Sequence, residues 1–201
     1  MTQKNSDDNI HLIYSTQVIE FVTVANLFCN FLENAHTEKR KIFIEKSQKI
    51  LSILYLKSIV LKSPKIIEEG YAEKFVTQDD YDFLKDKVSE KLGSFDLFCD
   101  LYPPSNTIEA TSISMSECYA DIYQDLKDFT LLYQLGVVDS VNEGLWECVQ
   151  NFEQIWGPRV LVLLKEIHNL LFSGEDLTIE DNKNEFIKDK NDRFWSDELL
   201  N

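Results

Sequence analysis

Turn-forming residues are scarce in this chain, with six glycines and four prolines among 201 residues. Sustained apolar–polar alternation, the mark of half-buried strands, is also missing, which leaves helix as the organising element. Basic residues are in deficit, 20 against 35 acidic, for a formal charge of −15. A phosphate-backbone binder needs a concentrated basic face, so nucleic acid is not expected, and a macromolecular partner would be basic. The same negative field also keeps a protein in solution. The longest apolar run, ILSILYLKSIVL at residues 50–61, is 12 residues long and carries Lys57. It is too short and too polar to span a bilayer, so no membrane association is expected. The four cysteines, Cys29, Cys99, Cys118 and Cys148, have no CxxC or CxxH spacing. They therefore signal neither a zinc ribbon nor a redox dithiol and are read as buried thiols. The opening MTQKNSDDNI has no basic region followed by an apolar one, so the expectation is a cytoplasmic protein. No glycine-rich phosphate loop, nucleophile elbow or Cys/His pairing occurs, so no catalytic residue is assigned and no cofactor is expected.

Helical periodicity is what the chain does have. Residues 16–35 place Val18, Phe21, Val22, Ala25, Phe28 and Leu32 on one face. Residues 37–61 turn apolar almost all round in their second half, which predicts a helix central to a bundle, ended by Pro64. Thr77 with Asp80 opens a third helix that stops at Gly93. Ser114 with Glu117 caps a fourth that closes on Gly136, and Ser140 with Glu143 repeats the device for a fifth. Trp156, Gly157 and Pro158 then mark a kink or a fresh start, running on to Phe172. Residues 62–76 read as a surface loop. The segment 94–113, with Phe95, Leu97, Phe98, Leu101 and Tyr102, reads as a strap packed across the bundle. The predicted fold class is thus all-α, one bundle of five to six helices over residues 15–173. A polar segment, 1–14, precedes it, and a tail, 174–201, with nine acidic and four basic residues follows. That composition predicts flexibility, except for the ending RFWSDELL, whose Phe194, Trp195, Leu199 and Leu200 could dock on the body or a partner.

The fourth helix carries the main candidate site. Met115, Ile122, Leu126, Phe129 and Tyr133 fall within an arc of about 40° and form its core stripe. Asp121, Asp125 and Asp128 make a second line, roughly 80° to 140° away, shared with Leu132. A leucine in register places the line at the edge of the core, where unpaired carboxylates would be costly through desolvation and mutual repulsion. A cation should stand opposite. Lys57, in the apolar arc of the second helix, is the first candidate and Arg159 the second, while Lys127 projects away.

Metal binding is the competing reading, in which Asp121, Asp125 and Asp128 hold magnesium in a hydrolase of nucleotides or pyrophosphate. Glu143 and Glu147 have suitable i, i+4 spacing on the fifth helix, but the wheel turns both away, and Glu153 is the better fourth ligand. Glu33 and His36 have di-iron spacing without a second Glu-x-x-His. His168, beside an apolar face, reads as a packed imidazole. Trp146 projects about 90° from its helix's apolar centre. It is either covered by the strap or tail, or exposed as a contact residue.

The stretches LYLKSIVL, ADIYQDLKDF and LWECVQNFEQIWGPRV resemble those of a bacterial family of roughly 200-residue helical proteins classed as a domain of unknown function. The resemblance covers residues 16–172. It implies a compact all-helical cytoplasmic protein without an established activity, and it groups Lys57, the aspartate line and the Trp146 region in space. The function expected from all this is binding or regulation of a basic protein, without catalysis.

Overall fold

The computed structural model describes residues 11–65, 72–102 and 109–178. Helix α1 spans Thr16–Glu33 and α2 spans Arg40–Ser58; α3 is Gln78–Leu92, α4 Met115–Leu135, α5 Val138–Asn151 and α6 Gly157–Phe172. Strands β1, Leu97–Tyr102, and β2, Glu109–Ser114, pair antiparallel from Leu97↔Ser114 to Tyr102↔Glu109. The strap expected at residues 94–113 is therefore a hairpin on an otherwise helical domain.

Local chemistry sets the helix ends. Thr77 accepts from the Asp80 amide while the Asp80 carboxylate accepts from that of Thr77, a reciprocal box that starts α3. Ser114 Oγ accepts from the Glu117 amide at the start of α4, which ends at Gly136 with φ 71°. The fifth helix begins earlier than Ser140 implied. Val137 stands at its N-cap without a side-chain bond, because the chain reverses within Gly136 and Val137 and turns helical at once.

Helix α4, rather than α2, is the centre of the bundle, since it packs against α1, α3, α5 and α6, whereas α2 lies against α1 and α6. On α2, Phe43, Ile44, Leu51 and Leu54 are buried, but Ile53 and Leu56 are exposed, as are Ile59 and Val60 just past its end. An all-round apolar sequence here means one face in the core and one left open. Aromatic side chains fill the core between helices: Phe21 lies 5.9 Å from Phe129 and 6.4 Å from Trp156, and Phe43 lies 5.7 Å from Tyr119.

Buried Asp96 ties the hairpin to the bundle. It accepts from the Ser116 amide at 2.7 Å, from Ser116 Oγ at 2.9 Å and from Ser89 Oγ at 2.8 Å, while its carbonyl accepts from the Met115 amide. A carboxylate at the first turn of α4 also meets the positive end of that helix's dipole.

Helices α5 and α6 are joined by a π-helical turn, Phe152–Trp156, in which the Gly157 amide donates to Phe152 O. Pro158 has no amide to donate, and the wider turn absorbs that loss without breaking the rod. It also drives Trp156 into the core, where the indole Nε1 donates to Cys148 O at 3.1 Å. A Cβ on Gly157 would stand 2.2 Å from Phe152 O, so Gly157→Ala should cost about 3 kcal/mol by overpacking, read as a lower urea midpoint at unchanged slope. Gly136→Ala meets no neighbour and should cost about 1 kcal/mol, from its left-handed backbone alone.

Candidate functional site

The aspartate line of α4 runs along the groove between α3, α5 and α6, and each carboxylate has its own partners. Asp121 Oδ1 accepts from the Tyr81 hydroxyl at 2.8 Å, and its Oδ2 lies 3.1 Å from Arg159 Nε. Burial and the Asp121 bond together push the Tyr81 phenol well above its ordinary range. Asp125 Oδ1 accepts from Asn151 Nδ2 on α5 at 2.7 Å. Burial lifts the Asp125 carboxyl to about 6, against the pull of Asn151 and Lys74. Asp128 is 2% exposed, and its Oδ1 accepts from two successive amides, Phe75 N at 2.8 Å and Val76 N at 2.9 Å.

The other oxygen, Asp128 Oδ2, has no hydrogen bond. It faces the Lys74 ammonium at 3.8 Å, which in turn bonds Glu147 Oε1 at 2.6 Å. Burial alone would lower the Lys74 value, but Glu147, Asp128 and Asp125 together raise it. The space among Lys74, Asp125, Asp128, Glu147 and Cys148 is about 10 Å³. That holds about one water molecule.

The cation opposite the line is thus Lys74 for Asp128 and Arg159 for Asp121. Lys57 is elsewhere: it sits where α2 lies against α1 and bonds Glu20 Oε2 at 2.7 Å in a largely solvated pair. Glu153, the fourth ligand of the magnesium reading, is exposed on the π-helical turn. Glu147, which the helical wheel turned away, is the glutamate that reaches the site, because Lys74 bridges the gap for it. Among the described residues, no group of three or more His, Cys, Asp or Glu is arranged to hold a metal ion. Glu33, half of the di-iron spacing, accepts from Tyr123 OH at 2.9 Å and pairs with Lys127 at 2.7 Å. His168 is exposed, with its ring 4.7 Å from that of Phe172, because it lies one step off the buried stripe of α6. Trp146 is half-buried. Cys29, Cys118 and Cys148 are buried, but Cys99 is exposed on β1. Burial pushes the Cys118 thiol up to about 11, which leaves it protonated and inert.

A family model for a domain of unknown function, DUF5063, matches residues 12–173. The chain belongs to this family. It is also similar to a crystal structure of protein BF1032 from Bacteroides fragilis, a structural-genomics target, at 35% identity and a TM-score of 0.73. The similarity covers 82% of this chain and 98% of the other. No curated protein matches the chain. No helix among the described residues is long and apolar enough to cross a membrane.

Replacing Lys74 by Met strands Glu147 and the unbonded Asp128 oxygen, and should cost about 1–2 kcal/mol given the amine's partial exposure, against under about 0.5 kcal/mol for Lys57→Met. Chemical denaturation of both, with a Lys74–Glu147 double-mutant cycle, checks the ranking.

Asp125 makes stability depend on pH. It faces Asn151, Glu147 and Cys148 on α5, Lys74 ahead of α3, and Asp128 on its own helix. Its folded value is raised above the unfolded one, so its contribution is complete below about pH 4 and falls away as pH rises through about 6. Asp125→Asn should remove that loss, raising stability at pH 8 relative to pH 5 by roughly 1–3 kcal/mol compared with the parent. Urea midpoints at the two pH values test it.

Proposed function

We propose that the protein is a non-catalytic binding or regulatory module whose partner presents basic side chains, and that α3 carries the recognition face. The aspartates of α4 bear on this because the chain's own donors engage them: Tyr81, Arg159, Asn151, Lys74 and two backbone amides. Negative charge open to a partner lies instead on the outer side of α3 and the start of α4. Asp82 bonds Lys85 at 3.2 Å, and Asp86 and Glu117 add to the field that raises the Lys85 ammonium above its ordinary value. Beside them Phe83 is 63% exposed, and Lys87 Nζ stands 4.1 Å from its ring centroid.

The observation that carries the reading is that last contact. An exposed phenylalanine flanked by carboxylates already holds a lysine over its face, which is the environment a partner's lysine or arginine would seek. Charge would speed encounter, and the aromatic ring would supply the anchor.

Capture from a lysate of the native cells tests this. A basic protein should be retained reproducibly at low salt and released by high salt, as screened charges require. Phe83→Ala should weaken retention about tenfold, and Asp82→Lys with Asp86→Lys should abolish it. Equal retention by these variants would overturn the reading. A melting temperature that rises with millimolar magnesium would favour the hydrolase instead.

A further inference from the structure

The outward face of α2 is the largest feature the proposed function leaves unused. Between residues 53 and 60, Ile53, Leu56, Ile59 and Val60 are 45%, 55%, 53% and 47% exposed. Ile53 and Leu56 lie about 60° apart on the wheel of α2, and Ile59 and Val60 follow on the turn just past its end. Four such residues within two turns exceed the scattered apolar exposure of an ordinary surface. Toward the start of α2 the row continues through exposed Lys49 and Ile42, with exposed Lys41 about 90° to its side, in a helix that carries five basic residues and one acidic.

The described chain ends beside this helix. Leu177 is 4% exposed and belongs to the core, so the polypeptide is still attached to the body three residues past Gly174. The neighbouring Asp176 carboxyl is held below its ordinary range, first by its bonds to Thr178 and also by the charge of Lys41 at the start of α2. Residues 179–201 follow, outside the described residues and beyond the segment matched by the family model. They hold seven acidic and four basic residues interspersed along the segment, with three acidic residues leading and an aromatic and leucine group at the end. Glu180, Asp181 and Glu185 come first, opposite its basic start. Phe194, Trp195, Leu199 and Leu200 come last, opposite its apolar end.

We propose that residues 179–201 dock on the outward face of α2 within the same chain, with the aromatic ending seated on Ile53, Leu56 and Val60. Reach does not limit this. From Lys41 to Leu56 the helix advances about 22 Å. The 17 residues from Thr178 to Trp195 span about 56 Å extended, or about 26 Å if wound into helix. The occupant is a segment of the chain, so docking adds no translational cost of association, and a modest apolar contact suffices to hold it.

Zero-length carbodiimide coupling of the full chain, followed by peptide mapping of the monomer, tests the proposal. Links from acidic residues 180–198 to Lys41 or Lys49 within one chain are expected. Links only between chains, or none to α2, would overturn it. Independently, the difference between the parent and Trp195→Phe isolates the emission of Trp195, which should be blue-shifted and several-fold less quenched by acrylamide than a free tail peptide. Leu56→Asp should abolish that protection, and Lys41→Glu with Lys49→Glu, which leaves the apolar row intact, should weaken it. Both changes are on exposed positions, and unchanged helical circular dichroism verifies the fold. Trp195 as accessible in the parent as in Leu56→Asp would overturn the proposal.

Discussion

A line of carboxylates on the most enclosed helix of a bundle needs donors from every side, and this requirement organises the molecule. Desolvating Asp121, Asp125 and Asp128 is tolerable only with hydrogen bonds in exchange. Those bonds come from α3 through Tyr81, from α5 through Asn151, from α6 through Arg159, and from two amides of the segment before α3, where Lys74 adds an ion pair at 3.8 Å. Each donor fixes the azimuth of the element that carries it. The apolar core supplies most of the driving force, but apolar contacts alone permit many rotations of one helix on another. The polar line selects among them, with one oxygen, Asp128 Oδ2, left to the charge of Lys74 alone.

Some of this was legible in the sequence. The core stripe of α4, the caps at Thr77 and Ser114, and the closure at Gly136 follow from local rules whose physics lies within a few residues of chain. The need for a cation opposite the aspartates also followed from the wheel, as did Arg159 as one candidate. Lys74 was not legible, because it lies in a segment without periodicity, and nothing local tells that segment which helix to cross. Lys57 misled for a related reason: its apolar neighbours suggested depth, whereas α2 lies at the side of the bundle and leaves that row open. Composition reports how apolar a helix is, but which face is covered depends on the tertiary arrangement. The hairpin escaped notice because its strands pair with each other and are tied to the bundle through Asp96, a contact that gives no periodic signal.

Charge is divided between two roles. On α4 it is internal and tightly held; on the outer side of α3 it is open, mixed with lysines and one bare phenylalanine. The first contributes a defined native arrangement, at the cost of stability above the titration of Asp125. The second adds to the negative field around the protein.

The turn at Phe152–Trp156 has a consequence for the rod it interrupts. An extra residue within one turn sets the azimuth of everything downstream back by about 100° relative to an uninterrupted helix. Asn151 and Arg159, eight positions apart, would otherwise point about 80° apart; the turn brings them to within about 20°, and both address α4. Deleting one residue from this turn would therefore restore ordinary winding and leave the guanidinium facing Asp121, whereas adding a further residue to an otherwise regular α6 would swing the C-terminal half by about 100° and turn it away.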